Sequence, residues 1–188
     1  MAKFNLYPKI KDLKLLILDV DGVFTQGGIT YISGENTSRR FDVKDGLGLV
    51  VMAAHDFKLA IITGKKNEMV KRRAEILGIS DVFQSFPHKS EAYEQLKKKY
   101  KFADHECAFI GDDLIDIAVL RQVGFGVAVA DAHPAAKQVA DYITFKPGGS
   151  GAIREVVDLI LSFKSGEFSR NIPIPEKLAT RWKINKLA

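Results

Sequence analysis

Asp19 and Asp21 stand one residue apart at the end of an unbroken apolar run, Lys14-Leu15-Leu16-Ile17-Leu18-Asp19-Val20-Asp21-Gly22-Val23. Two carboxylates so close repel each other. A hard divalent cation that prefers oxygen ligands, magnesium above all, is the simplest means of offsetting that cost. The other reading of the stretch is an ordinary turn, because Asp-Gly is common turn chemistry. Further polar groups complete a set: Thr63 after Leu59-Ala60-Ile61-Ile62, then Lys89, then Asp112-Asp113 after Cys107-Ala108-Phe109-Ile110-Gly111. Carboxylates, a hydroxyl and an ammonium in this combination suit phosphoryl transfer. The metal and the lysine neutralise phosphate charge, the hydroxyl positions an oxygen, and one carboxylate attacks.

These groups work together only if the elements that carry them converge. Each apolar run has strand length and no alternation, which predicts strands buried on both faces, as in a parallel sheet. Between the runs lie segments of helical period. Residues 47–54 predict a short helix, and Val70, Ala74 and Leu77 a second one that stops at Gly78. Others are predicted at 89–100, 114–122 and from the Gly148-Gly149-Ser150-Gly151 run to about 163. Further strands are predicted at 82–86, 126–130 and 142–144. Strands alternating with helices mean a doubly wound (Rossmann-like) α/β fold, a central parallel sheet with helices on both faces. In such a sheet, ligands bind beyond the carboxyl ends of the strands, where all the polar groups above emerge. Residues 29–43 interrupt the pattern with two β-rich runs around Gly34-Glu35-Asn36, a predicted hairpin. His133 before Pro134 reads as a helix start or a loop, not a ligand.

One domain over residues 1–164 accounts for this pattern, followed by an arm at 165–188 in which Ile172-Pro173-Ile174-Pro175 excludes helix and central strand. The formal net charge is +5, but the basic residues are scattered. A nucleic-acid binder would gather them on one face with aromatics between, so no nucleic-acid partner is expected. Cys107, the single cysteine, sits in an apolar run and reads as a buried strand thiol. The N-terminus lacks the apolar region of a secretory signal, and no apolar run reaches membrane-spanning length. A cytoplasmic protein with no membrane partner is the expectation.

Asp19-Val20-Asp21-Gly22-Val23, Ile62-Thr63-Gly64, Lys89 and Gly111-Asp112-Asp113-x-x-Asp116 resemble the four motifs of the haloacid dehalogenase (HAD) superfamily of phosphohydrolases. The resemblance extends to its branch of capless 3-deoxy-D-manno-octulosonate 8-phosphate phosphatases. Phe41-Asp42-Val43-Lys44-Asp45-Gly46, Lys71-Arg72-Arg73-Ala74, Ala128-Val129-Ala130-Asp131-Ala132-His133-Pro134 and Gly148-Gly149-Ser150-Gly151-Ala152-Ile153-Arg154-Glu155 carry it. It covers about residues 13–161 and leaves the arm out.

The resemblance implies a magnesium-dependent phosphatase acting on an acidic keto-sugar phosphate. Asp19 would be the nucleophile that forms an aspartyl-phosphate, and Asp21 the acid and then the base. Asp19, Asp112 and the main-chain carbonyl of Asp21 would ligate Mg2+, with Asp113 and Asp116 around them, while Thr63 and Lys89 grip the phosphoryl oxygens. Asp116 could also be a solvated acid on a helix. Gly64, Lys65, Lys44 and Arg73 are candidates for the sugar acid, although Lys44 and Arg73 read equally as surface charges. Lys65 stands where the branch carries arginine, and a point charge does not replace a bidentate fork. A nine-carbon nonulosonate 9-phosphate is therefore the alternative substrate. From other classes, a non-catalytic assembly or binding domain and a response-regulator-like switch also use acidic strand ends. The full set of motif carboxylates disfavours the first, and length and motif order the second. With no cap domain between the motifs, the resemblance implies a homotetramer in which the hairpin edge (Tyr31, Ile32, Phe41) and the arm, through Arg170 or Lys177, cover a neighbour's site.

Overall fold

The computed structural model describes residues 6–31 and 37–165. A short helix α1 (Tyr7–Ile10) leads into β1 (Leu15–Leu18) and then a small antiparallel pair, β2 (Thr30–Tyr31) and β3 (Thr37–Ser38). The chain continues through α2 (Val43–Ala54), β4 (Lys58–Ile62), α3 (Glu68–Leu77), β5 (Asp81–Phe83) and α4 (Lys89–Tyr100). It ends in β6 (Cys107–Gly111), α5 (Ile117–Gln122), β7 (Phe125–Ala128), α6 (Pro134–Val139), β8 (Tyr142–Ile143) and α7 (Ala152–Ser165).

The main sheet runs β5-β4-β1-β6-β7-β8, every neighbour parallel, as the unalternating apolar runs predict. β1 lies at the centre with all four residues buried, registered against β4 through Leu15 with Lys58 and against β6 through Leu15 with Cys107. Growth of the sheet reverses between β1 and β6. The loops leaving these two strands therefore diverge, and a crevice opens at their carboxyl ends. Both loops carry aspartates.

Local chemistry sets the helix ends. Asn67 accepts the Met69 and Val70 N–H groups to start α3, and Gly78, with φ 77°, stops it. Asp42 accepts from Lys44 N–H at 2.6 Å and Asp45 N–H at 3.2 Å. This cap begins α2 at Val43, so the second hairpin run ends earlier than expected and the helix starts earlier. The strand expected at 82–86 ends at Phe83, because Ser85 adopts φ 64°, incompatible with extended backbone. Of the two readings of His133 before Pro134, helix start or loop, the helix holds: α6 is a turn and a half that His133 caps and Pro134 opens.

The amphipathic α7 buries Ile153, Val156, Val157, Ile160 and Leu161 and packs chiefly against α2. Each such side chain contributes about 1.5–3 kcal/mol on burial. Cys107 is a buried thiol in β6, as its apolar neighbours predict. No helix among the described residues is long and apolar enough to cross a membrane. The hairpin turn with Ile32, and the arm with Arg170 and Lys177, lie outside the described residues.

Candidate active site

Four elements deliver the polar set to one edge. Asp19 follows β1, Thr63 follows β4, Asp112 follows β6, and Lys89 is the first residue of α4. The Lys89 ammonium is buried and bridges two carboxylates, Asp19 Oδ1 at 2.5 Å and Asp116 Oδ1 at 2.5 Å. Burial pulls the ammonium down, but Asp19 and Asp116 together hold it above the usual lysine range. Burial pushes Asp19 up to about 6, against the pull of Lys89 and with a further push from Asp116.

Asp116 is fully buried, not the solvated acid that helical spacing allows. Its second oxygen accepts the Asp112 N–H at 2.8 Å and the Asp113 N–H at 3.1 Å. The motif Asp112-Asp113-x-x-Asp116 is thus a reciprocal helix cap, since Asp113 Oδ1 accepts the Leu114 N–H at 2.7 Å. That cap turns Asp116 back under the loop, where its carboxylate lies against the Cα of Gly111; any side chain at Gly111 would overlap it. Asp113 itself is exposed and lines the cavity mouth.

Asp112 is crowded on the other side. Its carboxylate rests on Gly22, whose φ of 96° and missing Cβ make the approach possible. Burial first, then the charges of Asp19 and Asp116, then a hydrogen bond with Asp19, push Asp112 up to about 8. Oxygens of Asp19, Asp112 and Asp116 all lie within 4.8 Å of one another. Both Asp116 oxygens are engaged by Lys89 and the main chain, so the open donors are those of Asp19 and Asp112. The buried Asp19 and half-buried Asp112, which resist joint ionisation, form a hard-oxygen donor pair, and a divalent cation such as Mg2+ fits that pair. The Asp21 side chain does not join the group.

Asp21 faces the hairpin. Its Oδ1 forms an ion pair with Arg39 Nη1, and the Arg39 side chain is 4 % exposed. Sequence reading counted Arg39 among scattered basic residues and missed it. No local signal marks it, because its burial depends on the hairpin folding back over the β1 loop. An isolated Thr25–Phe41 bridge and an edge-on contact between Phe24 and Phe41, centroids 4.9 Å apart, secure that fold-back. Phe41 is therefore packed inward, unlike the exposed edge residue expected of it.

A cavity of about 340 Å³ covers the set, lined by Asp19, Asp21, Thr63, Gly64, Lys65 and Asp112 among others. Thr63 is buried there, its Oγ1 accepting from the Lys65 N–H at 3.5 Å, and Lys65 is exposed at the mouth. Lys44 is exposed and Arg73 half-buried, and neither lines this cavity. The Arg73 guanidinium lies against Gly46 and 5.9 Å from the Phe41 ring centroid. A larger cavity, about 710 Å³, flanks β5 but touches none of the catalytic candidates.

The remaining motif residues support these loops. Asp131 accepts the Gly148 N–H at 2.9 Å, the His133 N–H reaches the Asp112 carbonyl at 2.7 Å, and the Gly149 N–H reaches the Val23 carbonyl at 2.8 Å. They brace the two acidic loops against each other.

Residues 62–154 match the family model of haloacid dehalogenase-like hydrolases. The chain is 44% identical over 153 residues to the 3-deoxy-D-manno-octulosonate 8-phosphate phosphatase KdsC of Escherichia coli K12, covering 81% of each. Among solved structures, it resembles the phosphatase of that name from Moraxella catarrhalis, crystallised with a magnesium ion, a phosphate ion and a KDO molecule. That match has a TM-score of 0.84 and 43% identity over 86% of this chain and 93% of the other. The cobalt-bound enzyme from Haemophilus influenzae matches with a TM-score of 0.81 and 34% identity, over 85% of this chain and 93% of that one.

Proposed function

Since the chain belongs to the 3-deoxy-D-manno-octulosonate 8-phosphate phosphatase family of haloacid dehalogenase-like hydrolases, we propose that it hydrolyses the phosphomonoester of that eight-carbon keto acid with magnesium as cofactor. The observation that carries the reading is the buried bridge from Asp19 through Lys89 to Asp116, with Asp112 pressed against Asp19 at the sheet edge.

Asp19, oriented by Lys89, attacks phosphorus and forms an aspartyl-phosphate as the bond to the sugar oxygen breaks. Asp21 gives its proton to that leaving oxygen, then takes one from the water that attacks the phosphoryl-enzyme. Thr63 and Lys89 hold the phosphoryl oxygens, and Lys89 places positive charge where negative charge develops. Asp19, Asp112 and the main-chain carbonyl of Asp21 hold Mg2+, which when bound supplies positive charge against these carboxylates and the phosphate. Asp116 and the Asp113 cap keep Lys89 and the Asp112 loop in place. Gly64 and Lys65 at the mouth meet the sugar acid. Lys44 and Arg73 stand outside the cavity within one subunit, so a role in binding requires a neighbouring chain.

The active form is a cytoplasmic homotetramer in which neighbouring hairpins close the cavity. Exposed apolar side chains support this: Ile115, 56% exposed, lines the cavity, and Tyr31 on the hairpin is 79% exposed. A monomeric mass by light scattering, with full activity at the same concentration, would remove the shared-lid idea.

The test of the function is a panel of phosphomonoesters with purified protein and magnesium. The eight-carbon keto acid phosphate should show the highest kcat/KM. A preference for a nine-carbon 9-phosphate would transfer the assignment to that substrate, consistent with Lys65 in place of arginine. No turnover of any keto acid phosphate would defeat the reading.

A further inference from the structure

β1 and β6 are paired as far as Leu18 with Ile110, and the Asp19 N–H still reaches the Ile110 carbonyl at 3.0 Å. Beyond that point the two acidic loops diverge, and the ladder no longer fixes the distance from the Asp21–Gly22 peptide to Asp112. A closed ring of contacts takes over. The Asp112 carboxylate rests on Gly22, and the Gly22 carbonyl lies against Gly148, where any Cβ would overlap it. The Gly148 N–H donates to Asp131 Oδ1 at 2.9 Å. Two residues further on, the His133 N–H donates to the Asp112 carbonyl at 2.7 Å and closes the ring. Gly149, at φ 59°, reinforces it with an N–H to the Val23 carbonyl at 2.8 Å.

Apart from Asp112 itself, Asp131 is the only side chain in this ring. It is exposed and does not line the cavity, whereas the Gly148 whose N–H it accepts is buried. A buried N–H that loses its acceptor is costly, so the chain at Gly148 shifts to find another. Gly22 cannot stay behind, because the two main chains touch. Gly22 follows Asp21 directly and carries the Asp112 carboxylate, so its shift displaces two of the groups assigned above to the cation. Mg2+ demands short bonds in a nearly ideal octahedron and tolerates such displacement poorly.

We propose that Asp131 is a positioning residue: through the Gly148 N–H it sets the spacing between the Asp21–Gly22 peptide and Asp112, and with it the affinity for the divalent cation. It acts as a correctly placed acceptor, not as a negative charge near the ion. This rests on the phosphatase reading above and adds to it a determinant of metal affinity outside the cavity.

Magnesium alone is the probe, titrated by calorimetry into chelator-treated wild type, Asp131→Asn, Asp131→Glu and Asp131→Ala. Asp131→Ala should weaken magnesium binding roughly tenfold, the low end for partners that orient metal ligands. Asp131→Asn keeps an oxygen at the same reach without the charge and should bind as the wild type does. Asp131→Glu keeps the charge but carries the acceptor one methylene too far, and its affinity should fall between those of wild type and Asp131→Ala. Asp45→Ala unpairs the Gly151 and Arg154 N–H groups just beyond the same glycines. It should lower Tm and leave magnesium affinity unchanged.

Equal affinity across the Asp131 series overturns the proposal. So does an Asp131→Asn as weak as Asp131→Glu, the mark of a charge effect, and that contrast stands even if Asp131→Ala fails to fold. A matching loss in Asp45→Ala would assign the effect to general loosening and overturn it as well, as would a wild type that binds no magnesium. A wild type that binds magnesium but hydrolyses no phosphomonoester would instead defeat the phosphatase reading, which keeps the two failures distinct.

Discussion

Asp45 and Asp116 are both fully buried carboxylates, and each accepts two main-chain N–H groups, yet they do different work. Asp45 lies in α2 and meets the start of α7, accepting from Gly151 at 3.1 Å and Arg154 at 2.8 Å. These partners are neutral dipoles at a helix N-terminus, a favourable place for a negative charge. Burial still holds the Asp45 carboxyl above the usual carboxylate range, opposed by those N–H groups. Asp116 spends one oxygen on the Lys89 ammonium, which in turn grips Asp19 at the cavity floor. Burial and satisfied hydrogen bonds therefore do not distinguish a reacting centre from a structural corner. What distinguishes it is a charge shared with a group that faces open space.

The contrast can be broken from the site outward. Asp19→Asn should leave the fold intact and lower kcat by a factor on the order of a thousand or more, the scale of losing a nucleophile. Retained turnover, with contaminating phosphatase removed, would rule out covalent attack by Asp19. Asp116→Asn should cost less, roughly a hundredfold in kcat, the scale of misplacing a reacting group by about an ångström. An amide there turns a donor toward either Lys89 or the two main-chain N–H groups, so Lys89 loses its seat. An unchanged kcat would make Asp116 a structural acid like Asp45.

The corner should respond in stability instead. Asp45→Ala leaves two buried N–H groups unpaired, which costs about 1–3 kcal/mol and lowers Tm by several degrees. Well below the melting temperature its kcat should match the wild type. A large fall in kcat there would show that α2 and α7 communicate with the site.

Acid titration separates the two regions once more. Without metal, the folded chain holds the protons of Asp19 and Asp112 up to about 6 and about 8, chiefly through burial. In the unfolded chain such groups ionise near 3.9. Between those limits the folded state binds more protons, so the contribution of these two groups to stability is fully present below about pH 4 and is lost as pH rises through about 8. Asp45, also raised, adds a slope of the same sign. Magnesium should flatten the contribution of Asp19 and Asp112 and leave that of Asp45. Melting curves across this pH range, with chelator or with magnesium, measure the difference. A slope indifferent to magnesium would place the crowding somewhere other than the proposed metal ligands.

Much of the site was legible because its carriers are local. An apolar run that stops at an acid announces a strand end, and Asp19, Thr63 and Asp112 were readable in that way. Lys89 was readable only by its place in the order of polar groups, for nothing in its own neighbourhood distinguishes the first residue of a lysine-rich helix from its other lysines. The motif order of a known family gave it a role. Asp45 entered only inside a family motif, with no role attached, and Arg39 escaped altogether. One looks like an acid in the first turn of a helix and the other like half of a surface Arg-Arg pair.

What the amino-acid sequence determined by itself is the set of buried parallel strands and the polar residues that end them. Period, run length and turn residues act over a few positions and hardly depend on the rest of the chain. Which charges meet was decided by the tertiary structure. Lys89 reaches Asp19 across 70 positions and Asp45 reaches the Arg154 N–H across 109. Desolvation and ion pairing depend on distance in space, and a chain of alternating strands and helices brings such positions together only when the whole sheet is assembled. The pairing of Arg39 with Asp21 has the same origin, since it exists only where the hairpin folds back across the end of β1.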